Sequence, residues 1–579
     1  MRLTYTLLFA LCILSFTARA GAATAIPLSV RGYLAENYFP GVEADSPELD
    51  AAIEVLTVPP AILRHVRQLK WERGQLERFA ADRLFMLVTC PDGSVRALHF
   101  RRGEVRRDRL LDASRVRVLH RLYSDAAFTA PLAPELNRWL WRGSVDARAV
   151  FLHAASVAAR RKGAILDAGT LRRAYANLTA PGTRTDALAR ALGALADSPG
   201  AEENCWAALW LLSRMDRMSF AREQRDLSVC DLQTVDAQAF YENVFYAVKA
   251  RRELPWARRV PDGDFLQQVL SPRGTGEPLQ RWRRHFFEAL APEVQGLGAR
   301  DMDRAIAVAT NAYGDYFQYE GDTTWEDFGL LTSLAVHEGR CEDMSNVLNA
   351  MLRALGIPAC QAYTPWWGHC DGNHAWTWTR GFGEVPGDGA NGVKVYVKTW
   401  DGRLDVTADY TPVTTVEFAT GAPDGTKAEL LVWNHDDWRV IARQPAQDGR
   451  VRFEKVGCRL NFALCIRVPD EPERLADVRT DGSVRWLNLD PAPPAVGGFT
   501  AVLEGKNPLG ELQPGADYTL ERYTLEGWQQ RPVERTAAGA LSFTAQPDFL
   551  YRILGDGVAA RPFTVELNPA TGESVILRR

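Results

Sequence analysis

From Met344 to Leu355, apolar side chains recur at 344, 347, 348, 351, 352 and 355, the spacing of one buried helical stripe. Gly356 and Pro358 follow as stop signals. A helix with one apolar face has to lie on a core, so this segment demands a partner layer. Cys341 stands three residues ahead of Met344, which puts it on the same stripe at the helix N-terminus. Unpaired backbone N–H groups and the helix dipole favour a thiolate there. The same groups can donate to an oxyanion forming beside the sulfur. Glu342 and Asp343 oppose the thiolate electrostatically, so its formation should depend on a histidine. Placement alone fits equally well a buried cysteine packing as a small apolar side chain.

The histidine candidate comes thirty-three residues later. Asp371-Gly372-Asn373 reads as a turn, and His374-Ala375-Trp376-Thr377-Trp378-Thr379 as an alternating, aromatic and β-branched strand. His374 opens that strand. The combination of G-x-C-x-D at 339–343, a helix closing in L-R-A-L-G-I-P at 352–358, and H-A-W at 374–376 resembles the transglutaminase-like superfamily. Residues 363–369, 394–400 and 405–407 are also similar to segments of exported bacterial members. The resemblance implies a papain-type α+β core in which Cys341 attacks an amide carbonyl, His374 shuttles the proton and an aspartate orients the imidazole. Asp388, fourteen residues past His374, is placed first for that third role, although Pro386 and the neighbouring glycines make a poor strand. Asp401 would end a better strand over 393–400. A hairpin of 374–380 with 394–401 would set it opposite His374, and Asp405 in L-D-V-T resembles a further family motif.

A metal reading competes for the same stretch. Cys360, His369, Cys370 and His374 are ligand types close together, but the paired C-x2-C spacing of zinc sites is missing. Using His374 as a ligand would also leave Cys341 without a base. No metal is therefore expected, and no cofactor. Neither a P-loop nor a G-x-S-x-G element is present. A net charge of −4 gives no argument for a nucleic-acid partner.

The remaining sequence suggests a multidomain α+β chain. Arg2, an apolar run at 7–16 and Ala18-Arg19-Ala20 form a signal-peptide pattern over 1–20, with cleavage expected after Ala20 and a secreted or periplasmic product. No later run is apolar for long enough to be transmembrane. Residues 21–145 mix strand and helix, with strands expected at 84–88 and 95–100. Residues 146–300 read as helical, at 147–160, 170–178, 185–196 and 207–218, with Trp206 and Trp210 as core packing. The transglutaminase-like catalytic domain spans 301–416. A β-sandwich-like module at 417–490 and a second β module at 495–579 follow. Among the cysteines, 205 with 230 and 360 with 370 are the plausible local disulfides. The expected activity is acyl transfer or amide hydrolysis on a protein or peptide substrate. The alternative is a binding or scaffolding protein that keeps the fold without catalysis. The sequence leaves acceptor and oligomeric state open.

Overall fold

The computed structural model describes residues 26–67, 83–163, 166–215, 219–220, 229–321, 327–379, 389–400, 402–492, 498–568 and 570–578. The signal-like segment, Asp388 and Asp401 lie outside these residues.

Near the N-terminus, β1 (Ile53–Val55), β2 (Arg83–Thr89), β3 (Val95–Arg101) and β4 (Glu104–Leu111) form an antiparallel sheet in sequence order. The strands expected at 84–88 and 95–100 are β2 and β3, paired from Arg83↔Arg101 to Thr89↔Val95. Helix α1 (Ala113–Leu122) follows, started by the Asp112 carboxylate, which accepts the Arg115 N–H. The helical stretch includes α2 (Ala147–Ala158), α3 (Ala168–Thr179), α4 (Thr185–Ala196), α5 (Ala201–Leu212) and α6 (Ala237–Glu253). Helix α5 begins at Ala201 rather than 207. Gly200, at a positive φ of 82°, turns the chain into it, and Glu202 and Glu203 favour its positive end. Trp206 and Trp210 are buried in the core that these helices share.

Helices α7 (Arg283–Leu290), α8 (Met302–Tyr316), α9 (Leu330–Val336) and α10 (Cys341–Ala354) lead to a second antiparallel sheet. Its strands are β5 (Cys360–Thr364), β6 (His374–Trp378), β7 (Tyr396–Thr399) and β8 (Gly402–Asp405), in the order β6-β5-β7-β8. The stripe on α10 packs into a core that crosses the molecule. Val347, Ala350, Met351 and Leu352 meet Phe286 of α7 and Phe317 just beyond α8, together with Phe85, Leu87 and Ala97 of the N-terminal sheet. The sheet is also tied to the segment leading into α10, with Arg83 Nε 2.8 Å from a Glu338 carboxylate oxygen.

Beyond residue 412 the regular elements among the described residues are all β-strands. Strands β9 (Val413–Ala419) and β12 (Arg450–Gly457) pair, and face a five-stranded sheet with β10 (Lys427–Asn434), β11 (Asp437–Pro445), β13 (Phe462–Arg467), β14 (Arg474–Val478) and β15 (Val484–Leu487). Val416, Phe418 and Phe453 from one layer meet Leu430, Leu464 and Ile466 from the other, so the module is a sandwich. A last module places β16 (Phe499–Leu503) and β19 (Leu541–Ala545) against a sheet with β17 (Thr519–Thr524), β18 (Gly527–Arg531), β20 (Tyr551–Leu554), β21 (Phe563–Leu567) and β22 (Ser574–Arg578). Trp433, Trp438, Tyr523 and Trp528 join the two modules through edge-to-face ring contacts. The chain is thus an α+β multidomain protein with C-terminal β-sheets. No helix among the described residues is long and apolar enough to cross a membrane.

Candidate active site

The G-x-C-x-D stretch has a mechanical explanation. Arg340 is the extended residue before α10, and Asp343 folds back over the first turn. One Asp343 oxygen accepts the Arg340 N–H at 3.0 Å, and the other accepts the Phe328 N–H at 2.6 Å. The carboxylate therefore satisfies two backbone donors while fully buried, and burial pushes its pKa up to about 7. Gly339 makes room for this arrangement. A Cβ there would lie 2.6 Å from Asp343 Cβ and 3.0 Å from the Phe317 ring. Arg340 turns outward to Asp327 at 2.9 Å.

This frame holds Cys341 as the first residue of α10, half-buried. Its Sγ donates to Glu342 Oε2 at 3.1 Å. Burial pushes the thiol up to about 12, with the Glu342 charge and hydrogen bond adding to the effect; the N–H groups of Ala375 and Glu342 pull the other way. The Ala375 N–H belongs to the residue after His374, so the start of β6 lies against the sulfur. His374 is half-buried and its ring stacks with Trp376 (5.4 Å between centroids, 28° between planes) and with Trp367 (6.2 Å, 28°). The Trp376 N–H is anchored on the Tyr410 hydroxyl at 3.0 Å.

The third member falls differently from the hairpin that the sequence suggests. Strand β5 lies between β6 and β7, so 374–378 pairs with Cys360–Thr364, His374 opposite Thr364, and not with 396–399. Asp405 is at the far edge of that sheet, on β8. It binds Lys394 Nζ at 2.6 Å and accepts the Thr407 hydroxyl and N–H at 2.6 and 3.1 Å. Asp405 therefore holds a turn and is separated from the histidine strand by β5 and β7.

The expected Cys360–Cys370 disulfide is not formed. Cys360 is buried, with Arg353 Nη2 at 3.9 Å, whereas Cys370 sits 3.5 Å from His369 Nε2. Cys205 is free and buried, in the α5 core, while the Cys230 side chain is outside the description. Among the described residues no group of three or more His, Cys, Asp or Glu side chains is placed to hold a metal ion.

Two supports escaped the sequence reading. Gln361, fully buried in β5, donates to Ser345 Oγ at 2.6 Å and to the Glu342 carbonyl at 3.3 Å, locking the sheet to the first turns of α10. The loop ahead of α7 does the same from the other side. Glu277 accepts the N–H groups of Gly274 and Thr275, and Thr275 Oγ1 accepts from Asn346 of α10 at 2.9 Å. The run Gly274-Thr275-Gly276-Glu277 carried the signal, since a carboxylate beside small residues is poised to cap its own turn.

One comparison with known proteins covers this segment. Residues 288–381, which hold α10, β5 and β6, match the model of the transglutaminase-like superfamily, and the chain carries a transglutaminase-like domain. A solved structure of a candidate cysteine protease from Cytophaga hutchinsonii is similar at 11% identity, over 42% of this chain and 63% of that one, with a TM-score of 0.17. At that score it adds no argument about the site. No curated protein matches the chain.

Proposed function

We propose that this protein is an exported thiol enzyme that opens peptide, isopeptide or glutamine amides through an acyl-thioester on Cys341. The observation that carries the reading is the packing of α10, which Cys341 opens, against β6, which His374 opens, with the N–H after His374 lowering the thiol pKa. The resting sulfur is a thiol, so its proton has to leave during attack. In the proposed step the S–C bond forms as His374 takes the thiol proton. The C–N bond then breaks while His374 returns that proton to the departing amine. Water or a second amine releases the acyl group and restores the thiol. Asp388 is the proposed partner of the imidazole, and the signal-like residues 1–20 support passage to a periplasm or the medium.

The test is the alkylation rate of Cys341 by iodoacetamide against pH, read on its peptide by mass spectrometry, in wild type, His374→Ala and a Cys341→Ala blank. The expected result is a His374-dependent phase near neutral pH, lost in His374→Ala. A single rise near pH 12, unchanged in that variant, would refute the enzyme and leave a binding protein on the same fold. Peptide-amide hydrolysis assayed beside incorporation of a fluorescent primary amine then separates hydrolysis from transfer.

A further inference from the structure

The loop 365–373, between β5 and β6, delivers Trp367 to the face of His374, yet much of what holds it comes from outside the transglutaminase-like segment. Asn434, fully buried at the end of β10, donates through Nδ2 to the carbonyls of Trp367, Cys370 and Gly372 at 2.9, 2.9 and 3.1 Å. Its Oδ1 accepts the Gly372 N–H at 3.0 Å. Arg561, from the last β module, reaches the Gly368 carbonyl at 3.1 Å and Asp371 Oδ1 at 2.6 Å. The same Asp371 oxygen accepts the His435 N–H at 3.0 Å. Gly368 is pressed on the sandwich, where a Cβ would lie 2.6 Å from the Phe462 ring. Side-chain amide and guanidinium groups that read several carbonyls of one loop fix its backbone, because releasing any of them strands a buried acceptor.

We infer that Asn434 and Arg561 are positioning residues for His374: they hold the loop that stacks Trp367 on the imidazole, and so make both β modules part of the catalytic unit. The inference rests on the thiol–imidazole reading above for its meaning in catalysis, but not for its geometry. A stacked indole limits ring rotation and shields one ring face, which an oriented base needs when proton transfer must follow one direction.

The experiment uses the full chain and reads His374 directly, by the rate and pH profile of its modification with diethylpyrocarbonate, peptide by peptide. Exposed His153, distant in sequence, is the internal control. Asn434→Asp keeps shape but loses the donors, and Arg561→Ala removes the guanidinium. Each is expected to speed His374 modification at least threefold and to shift its pH profile, with His153 unchanged and Arg561→Lys returning towards wild type. Asp371→Asn, at an exposed side chain, weakens the same contacts should either buried variant fail to fold, and is expected to move His374 in the same direction. A His374 profile within twofold of wild type in the folded variants overturns the inference. Loss of the His374-dependent phase of Cys341 alkylation in wild type would instead be the failure of the enzyme reading, because diethylpyrocarbonate reports the loop alone.

Discussion

Replacing Glu342 by Gln should make Cys341 a better nucleophile. The thiol is held up at about 12 by burial, then by the Glu342 charge and the 3.1 Å hydrogen bond to it. Gln keeps the length and can still accept, but carries no charge. Two unit charges about 4 Å apart interact by about 4 kcal/mol at an effective dielectric of about 20. Both groups are only half-buried, so screening reduces this to about 1.5–3 kcal/mol. That corresponds to roughly ten- to a hundredfold more thiolate at pH 8. Intrinsic nucleophilicity falls as a thiol becomes more acidic, with a slope of about 0.4–0.5, so the alkylation rate should rise only about three- to tenfold. The assay is the second-order rate constant for iodoacetamide at Cys341 between pH 6 and 10, with Cys341→Ala as the blank. A rate at pH 8 no faster than wild type would refute the reasoning, and burial alone would then set the thiol's state.

Gly339→Ala should collapse the support under the nucleophile. The new Cβ overlaps Asp343, which must withdraw from the N–H groups of Arg340 and Phe328, and the combined overpacking and lost capping costs about 2–4 kcal/mol. A lowered melting temperature is expected, and an unchanged one counts against this account of the motif. The buried histidines should subtract stability from about pH 6.5 downward, against an opposite contribution from Asp343, whose raised pKa favours the folded state as pH falls. His285 is buried, donates to the Leu122 carbonyl, and has its pKa lowered to about 4 by burial; His99 is lowered to about 3 for the same reason. Between the unfolded pKa of about 6.5 and each folded value the unfolded chain binds more protons, so this contribution is complete above about 6.5 and falls as pH drops towards 4, by about 3 kcal/mol for His285. His285→Gln retains a donor and cannot titrate, so its melting temperature should fall less between pH 7 and 4.5; parallel slopes would contradict this.

The sequence revealed what depends on periodicity and local chemistry. The α10 stripe comes from helical spacing, and β2 and β3 from apolar runs on either side of a turn, each within one segment; Cys341 at the start of α10 and His374 at the start of β6 fall where that spacing expects them. The misses share a different cause. Strand β5 is five residues long and carries Gln361 at a fully buried place, so neither length nor hydropathy marks it. Its polar residue is buried because Ser345 and the Glu342 carbonyl lie across from it, a partner choice made in three dimensions. Leaving out β5 is what joined 374–380 to 394–401 in a hairpin. The absence of a Cys360–Cys370 disulfide has the same cause: with β5 as a central strand, Cys360 is in the core while Cys370 rides on the loop held by Asn434.

The core shared by the N-terminal sheet and α10 sets a timetable for synthesis. Arg83 meets Glu338 across 255 residues, and His99 meets the Asp315 carbonyl across 216. At roughly 5–20 residues per second, β2 and β3 wait on the order of tens of seconds for the helices that cover their inner face. Phe85, Leu87 and Ala97 are exposed apolar side chains during that interval. A nascent chain of this design needs a holding factor, or transport in an unfolded state, before its middle third arrives to complete the first.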